Sequence, residues 1–288
     1  MPHPDVQSFF EACSRTISHV AWDPVSRKAA IIDSVLDYDD AAGRTSHASA
    51  DTIAAFVRAA HLQVDWIIET HVHADHLSAA PYLRGLLGGR IAIGERVCEV
   101  QSTFGRVFDM DAGFRPDGRQ FDHLFAPGEI YNVGEIPARA IATPGHTPAC
   151  MTHLIGDAAF IGDTLFSPEY GSARCDFPGG DAHALYDSVQ ALFALPDETR
   201  LFLCHDYPVP GREGVMTQTT VAAQKLGNVH VRAGIDEATF VAMRKARDAT
   251  LSMPRLLLPS VQVNIRAGAL PEPSGNGIQY LKIPLNAL

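Results

Sequence analysis

Between Thr70 and His76 the chain reads Thr-His-Val-His-Ala-Asp-His, placing three imidazoles and one carboxylate in seven residues. The apolar run Val64 to Glu69 before it predicts a buried strand, and Leu77 to Leu87 after it predicts a helix. Packing alone gives no reason to gather four such side chains on one strand-to-helix loop, because buried imidazoles and carboxylates are costly without partners. In extended backbone, positions i and i+2 point the same way, so His71 and His73 can face one ion. Asp75 and His76 fall near the first turn of the next helix, where backbone N–H groups favour a carboxylate. The loop is expected to be a metal site.

Three other places repeat its design, an apolar strand ending at a ligand-type residue. Thr143-Pro144-Gly145-His146-Thr147 puts His146 in a tight turn after Ala140-Ile141-Ala142. Asp163 follows Ile161-Gly162, where the glycine permits close backbone approach. Cys204-His205-Asp206-Tyr207 closes a third apolar run. Strand-end loops on a rigid scaffold are where catalytic groups usually sit.

The 288 residues suffice for a large core without disulfide staples. A formal net charge of −10, with no run of five basic residues, argues against nucleic-acid and anionic-membrane partners. The cysteines are Cys13, Cys98, Cys150, Cys175 and Cys204, odd in number and without C-x-x-C spacing. Reduced thiols in a cytosol-like compartment fit that pattern better than a disulfide framework. Polar residues break every apolar run in the first twenty, and no stretch approaches a membrane span. A cytoplasmic enzyme is the expectation.

Strands are predicted at Ile17 to Trp22, Ala29 to Ser34, Ile91 to Ile93, Ala138 to Thr143, Met151 to Ile155, Ala158 to Ile161 and Arg200 to Cys204. Helices are predicted from an Asp51 N-cap, and over Glu95 to Phe108, Ala182 to Ala194, Thr219 to Leu226 and Glu237 to Ala249. Strand pairs with helices on both sides suggest an α/β layered sandwich. Residues 1–288 form one domain in this reading, with 211–288 a helical and extended C-terminal extension. Its prolines predict a tail wrapping the surface.

The H-x-H-x-D-H loop, P-G-H-T, G-D-T and H-D-Y occur here in the order found in the metallo-β-lactamase superfamily, which residues 15–210 resemble. The resemblance implies a four-layer αβ/βα sandwich with metal in a cleft at one edge of the sheets. It does not specify the reaction, since hydrolases, thioesterases and oxygenases share this shell. Arg174-Cys175-Asp176-Phe177, the Asp181 to Leu195 segment with its Leu195-Pro196-Asp197 break, and Pro259 to Gly268 look like the persulfide dioxygenases of bacterial sulfide detoxification.

That finer resemblance implies one Fe(II) on His71, His146 and Asp163, oxidising glutathione persulfide with O₂ and water to glutathione and sulfite. Two histidines and one carboxylate leave about three positions open on an octahedral iron. His73, Asp75, His76 and His205 then orient ligands or relay protons. Arg174 and Tyr207, with Asn264 and Arg266 by family analogy, are the candidate substrate contacts, although Arg174 could simply pair with Asp176. Cys175 reads as a packed cysteine. The alternative is a dinuclear zinc thioester hydrolase of the glyoxalase II type, with Asp75, His76 and His205 on a second metal and Asp163 bridging. A non-catalytic sensor is disfavoured, since nothing resembles a helix-turn-helix. No Cys-x₅-Arg loop of the rhodanese type accompanies any cysteine, so sulfur transfer would require a separate sulfurtransferase. A homodimer is the family-level expectation.

Overall fold

The computed structural model describes residues 3–111 and 113–287. One six-stranded sheet runs in the order β1 (Asp5–Phe10), β2 (Ile17–Trp22), β3 (Lys28–Ile32), β6 (Gln63–Ile68), β8 (Arg90–Gly94), β9 (His123–Phe125). The other runs β10 (Ile130–Val133), β11 (Ile136–Ala142), β12 (Met151–Ile155), β13 (Ala158–Phe160), β14 (Arg200–Phe202), β15 (Gln218–Thr220). A small third sheet joins β5 (Arg44–Ser46), β4 (Val35–Asp39) and β7 (Leu77–Ser78).

The central strands of the first sheet are buried on both faces, which is why they read as unbroken apolar runs. Alternation decides which core each residue joins. Ile31, Ile67, Ile91 and Ile93 face helices α1 (Ala48–Ala59), α2 (Ala80–Leu87) and α3 (Val97–Val107). Ile32, Ile68 and Ala92 face the second sheet, meeting Tyr131, Ala140, Met151 and Phe160. On that sheet's far side, Ala159, Ile161, Leu201 and Leu203 pack with α4 (Ala182–Phe193), α5 (Val221–Gly227) and α6 (Glu237–Asp248). The result is the four-layer αβ/βα sandwich. No described helix is long and apolar enough to cross a membrane.

Several boundaries differ from the sequence expectation. Helix α1 begins after His47, so Asp51 lies in the first turn and takes the Tyr82 hydroxyl at 2.6 Å instead of capping. Leu77 and Ser78 pair with Leu36 and Val35 as β7, and the helix starts only at Ala80. Thr219 and Thr220 belong to β15, and the Thr220 hydroxyl caps α5 by accepting from Ala223 N–H. The largest correction concerns the tail. Residues Leu257–Asn264 form α7, whose Val261 and Val263 are fully buried beneath the first metal loop. Pro259 is tolerated because it stands in the first helical turn, where its missing N–H costs no hydrogen bond. Beyond it the chain returns to the surface, tied by Gln262 to the backbone of Lys282 at 2.7 and 2.8 Å.

Candidate metal centre

Every candidate ligand stands just past the C-terminal end of a strand, so the two sheets deliver them to one edge. His71 to His76 follow β6, His146 follows β11, Asp163 follows β13 and His205 follows β14. Glycines shape two of these turns. Gly145 has φ +139°, and a Cβ there would lie 2.4 Å from the Leu185 backbone of α4. Gly162 has φ +49°, and a Cβ there would lie 2.6 Å from the Thr70 hydroxyl.

Each imidazole is oriented by a bond from one ring nitrogen, which leaves the other free. His146 Nδ1 donates to the Arg174 carbonyl at 2.8 Å. The Thr70 hydroxyl donates to Asp33 Oδ2 at 2.9 Å, so His71 Nδ1 must donate to that hydroxyl at 3.0 Å. His205 Nδ1 reaches the Arg15 carbonyl at 3.3 Å, and His76 Nδ1 reaches Thr16 Oγ1 at 3.2 Å. His73 is turned the other way, with Nε2 donating to Asp33 Oδ1 at 2.9 Å.

The atoms left over are His71 Nε2, His73 Nδ1, His76 Nε2, His205 Nε2 and Asp163 Oδ1, all buried without a hydrogen-bond partner. Orphaned buried polar atoms cost about 1–3 kcal/mol each, so the lone pairs of His71, His76, His205 and Asp163 converging at one sheet edge call for a cation. The residues present fit a metal. His71, His146 and Asp163 each bring one ligand atom, all within 4.8 Å of one another. Two further buried triples gather as well, Glu69 with His73 and His76, and His73 with Cys204 and His205. His73 is common to both, and it is held between Asp33 and Glu69, whose Oε2 lies 3.3 Å from Nε2.

The electrostatics separate these histidines. Burial, reinforced by the neighbouring His73 and His146, pushes His71 well below the usual imidazole range. It is therefore neutral and keeps its lone pair for a metal. Burial also disfavours charge on His73, but the Asp33 carboxylate and then Glu69 overcome it and hold the ring well above its usual value. Asp33 responds in kind: burial raises it, yet the His73 charge and the Thr70 bonds bring it down to about 2. Tyr207 is pushed well above the usual phenol range by burial and by the charges of Asp163 and Asp75, so it stays a neutral O–H.

A cleft of about 310 Å³ opens over the centre. Asp75, His146 and Asp163 line its floor, and Phe166, Tyr170 and Tyr207 one wall. The Tyr170 and Tyr207 rings stack at 4.6 Å. Arg174, Arg244, Arg247 and Arg255 also line the cleft, with Arg244 buried and paired with Asp248 at 2.7 Å and Arg255 paired with Asp40 at 3.1 Å. Arg174 does pair with Asp176, through two bonds of 2.5 Å, and also donates to the Ser252 carbonyl at 2.8 Å. Cys175 is buried, and its backbone N–H donates to Asp248 at 2.9 Å.

Two expected substrate contacts do not reach this cleft. Asn264 is buried under the loop, where Nδ2 donates to the His73 and His76 carbonyls at 2.9 and 2.8 Å and Oδ1 accepts from Ser78 N–H at 2.8 Å. Its polar atoms brace the loop and none is free for a ligand. Arg266 lies in a different groove, paired with Asp111 at 2.9 Å and stacked over Phe114. Helix α7 ends at Asn264 and carries it behind the loop, and Arg266 follows just past the Ile265 C-cap.

Sequence reasoning missed Asp33, Glu69, Thr70 and Thr16. Asp33 had a signal, since it too follows an apolar strand, Ala29 to Ile32. It holds a left-handed φ of +52°, a conformation that Asp tolerates better than most residues. Thr16 had none, because its partners lie about sixty positions along the chain.

The model for the metallo-beta-lactamase superfamily matches residues 25–205. The chain belongs to that superfamily. It is 54% identical, over 98% of its length and 99% of the relative's, to a protein of Burkholderia pseudomallei named "Probable metallo-hydrolase". It is 50% identical over 99% of its length to a "Beta-lactamase hydrolase-like protein" of Xylella fastidiosa, spanning 65% of that protein. The mitochondrial persulfide dioxygenase ETHE1 of Mus musculus is 30% identical over 93% of this chain and 91% of its own. Among solved structures, ETHE1 from Myxococcus xanthus superposes with a TM-score of 0.72 at 29% identity, covering 92% of this chain and all of its own. Persulfide dioxygenases are thus among the homologues of this metallo-hydrolase-fold enzyme.

Proposed function

We propose that this protein is a mononuclear iron persulfide dioxygenase, converting glutathione persulfide, O₂ and water into glutathione and sulfite. One observation carries the reading. The ligand atoms of His71, His146 and Asp163 gather within 4.8 Å of one another, and His146 and Asp163 line the floor of the cleft. Two imidazoles and one carboxylate suit non-haem iron and leave about three positions open for persulfide and O₂. Iron(II) held there supplies the electron that makes triplet O₂ reactive toward sulfur, which redox-inert zinc does not.

The chain's own groups do the rest. The positive charge that Arg174, Arg247 and Arg255 bring to the cleft lining matches a substrate bearing carboxylates. Phe166 and the stacked Tyr170 and Tyr207 form a wall that excludes water from the sulfur end. The Tyr207 O–H remains a donor beside Asp163. Asp75, His76 and His205 stand at hydrogen-bonding distance from one another's networks, where they hold or move protons released with sulfite. The same reading carries a cytoplasmic location, a homodimer, a separate rhodanese-type sulfurtransferase supplying persulfide, and no nucleic-acid or membrane partner.

A second reading has specific support. His76 Nε2, His205 Nε2 and Asp163 Oδ1 are also unpartnered, and the relatives at 50–54% identity carry hydrolase names. That set suits a dinuclear zinc thioester hydrolase. Metal analysis of the purified protein with oxygen uptake decides between them. One iron per chain and persulfide-dependent O₂ consumption yielding sulfite are expected. Two zincs per chain with hydrolysis of S-lactoylglutathione would sink the dioxygenase. His146→Ala should abolish iron retention and turnover together while circular dichroism stays unchanged, and undiminished oxygen uptake in that variant would refute the ligand assignment.

A further inference from the structure

The segment Glu11 to Thr16 links β1 to β2 and passes directly over the edge of the metal centre. Thr16 is fully buried and forms an isolated bridge with His205. Its hydroxyl lies 2.7 Å from Ser14 Oγ, 3.2 Å from His76 Nδ1 and 3.3 Å from Asp75 Oδ2. Ser14 Oγ in turn donates to Glu11 Oε2 at 2.7 Å.

Counting hydrogens gives this chain a direction. Burial raises the Glu11 carboxyl, but bonds from the Ser14 hydroxyl and from the Ser14 and Cys13 N–H groups more than offset it. Glu11 is therefore ionised and can only accept. Ser14 has one hydroxyl hydrogen, spent on Glu11, so at 2.7 Å it must accept from Thr16. The single hydrogen of Thr16 is then spent on Ser14, with Asp75 Oδ2 a second, longer acceptor at 3.3 Å, and the Thr16 oxygen must accept from His76 Nδ1. Asp75 Oδ2, 3.5 Å from the same nitrogen, is likewise only an acceptor. Every neighbour of His76 Nδ1 thus demands a proton on it. His76 Nε2, buried and unpartnered, is left as a bare lone pair on the metal side.

We propose that Thr16 is a positioning residue of the active centre: with Ser14 and Glu11 it forms a one-way hydrogen-bond relay that fixes His76 as the Nδ1–H tautomer and aims its Nε2 lone pair into the site. His71 is held by the same device, carboxylate to hydroxyl to imidazole, through Asp33 and Thr70. The two relays come from different loops, one between β1 and β2 and the other at the ends of β3 and β6. The N-terminal loop is in this way part of the active centre, although it holds no candidate ligand.

Nitrogen NMR of protein labelled with ¹⁵N-histidine and loaded with one equivalent of zinc tests this directly, because protonated and bare ring nitrogens resonate far apart. The native protein should show His76 with a protonated Nδ1 and a bare Nε2. Thr16→Val, close in shape but without the hydroxyl, should convert that pattern to a mixture of tautomers, and Thr16→Ser should restore it. Ser14→Ala, at a half-buried loop position, should shift the pattern in the same direction and guards against misfolding of the valine variant. The kinetic arm rests on the persulfide dioxygenase reading. Thr16→Val should lower kcat about 10- to 100-fold, the range for losing an outer-shell partner, with KM for the persulfide within about 2-fold and recovery in Thr16→Ser. An Nε2–H tautomer in the native protein, or an unchanged His76 pattern in both Thr16→Val and Ser14→Ala, would overturn the proposal. A shifted pattern in a protein whose native form takes up no oxygen with persulfide would instead support the positioning role and refute the dioxygenase reading.

Discussion

Asp33→Asn should be the most damaging conservative change outside the candidate ligands. The Asp33 carboxylate accepts from Thr70 N–H at 2.7 Å, the Thr70 hydroxyl at 2.9 Å and His73 Nε2 at 2.9 Å, and is only 2% exposed. An asparagine keeps one accepting oxygen but points an NH₂ at groups that are themselves donors. It also strands the His73 cation, with only Glu69 left at 3.3 Å. Breaking a buried pair by removing one partner costs about 3–5 kcal/mol, and the surviving Glu69 places this case near the lower end. At about 2 °C per kcal/mol for a chain of this size, the melting temperature should fall by about 6–8 °C. Metal affinity should fall about 10- to 100-fold, because the Thr70 hydroxyl that directs His71 loses its acceptor. Calorimetry of metal-free protein measures the first effect and metal titration the second. Adding His73→Asn should cost less than in the native background, since it removes the charge that Asp33→Asn strands. A melting temperature within about 1 °C of native, together with unchanged metal affinity, would refute the account of Asp33 as the hub of this network.

Two other outcomes follow from the same geometry. Asn264→Ala should cost about 2–3 kcal/mol by leaving Ser78 N–H and two loop carbonyls without partners and should weaken metal binding. It should leave KM for the persulfide unchanged, and a raised KM would return Asn264 to the cleft. Stability should also fall on acidification from pH 6.5 toward 4. Burial lowers His19 and His153 to about 4 in the folded protein, so the unfolded chain binds more protons throughout that window. Each group is then worth about 3 kcal/mol at neutral pH, lost progressively down to the folded value. His73 moves the opposite way, but a raised group contributes its full stabilisation everywhere below 6.5 and so does not compete there. Urea midpoints of metal-free protein that stay flat between pH 6.5 and 4.5 would contradict the neutral burial of His19 and His153.

The layer order was legible because it depends on local pattern. Ile31-Ile32, Ile67-Ile68 and Ile91-Ala92-Ile93 are apolar on both faces, and only strands covered by helices on one side and a sheet on the other bury both. Local chemistry misled at boundaries. Leu77-Ser78 has helical spacing, yet it pairs with β4 because the loop must be anchored before α2 begins. The prolines of the tail suggested surface chain, but Val261 and Val263 had a cavity beneath the loop to fill, and Pro259 fell where a helix accepts it.

The same division holds at the opening loop. Thr70 to His76 by itself marked this chain as a candidate metal protein, because four such side chains on one loop have no other inexpensive arrangement. Sequence also supplied His146, Asp163 and His205, each marked by an apolar strand that ends on it. It could not say how these residues divide between ligands and supports, since residue type does not tell which ring nitrogen is occupied. Tertiary structure decided which ring nitrogens are occupied. Asp33, about forty positions upstream of His73, reaches its Nε2, Asn264 braces the loop from beneath, and Thr16 Oγ1 lies 3.2 Å from His76 Nδ1. Hydrogen-bond partners so far apart in the chain are set by how the sheets pack, and no local pattern records them.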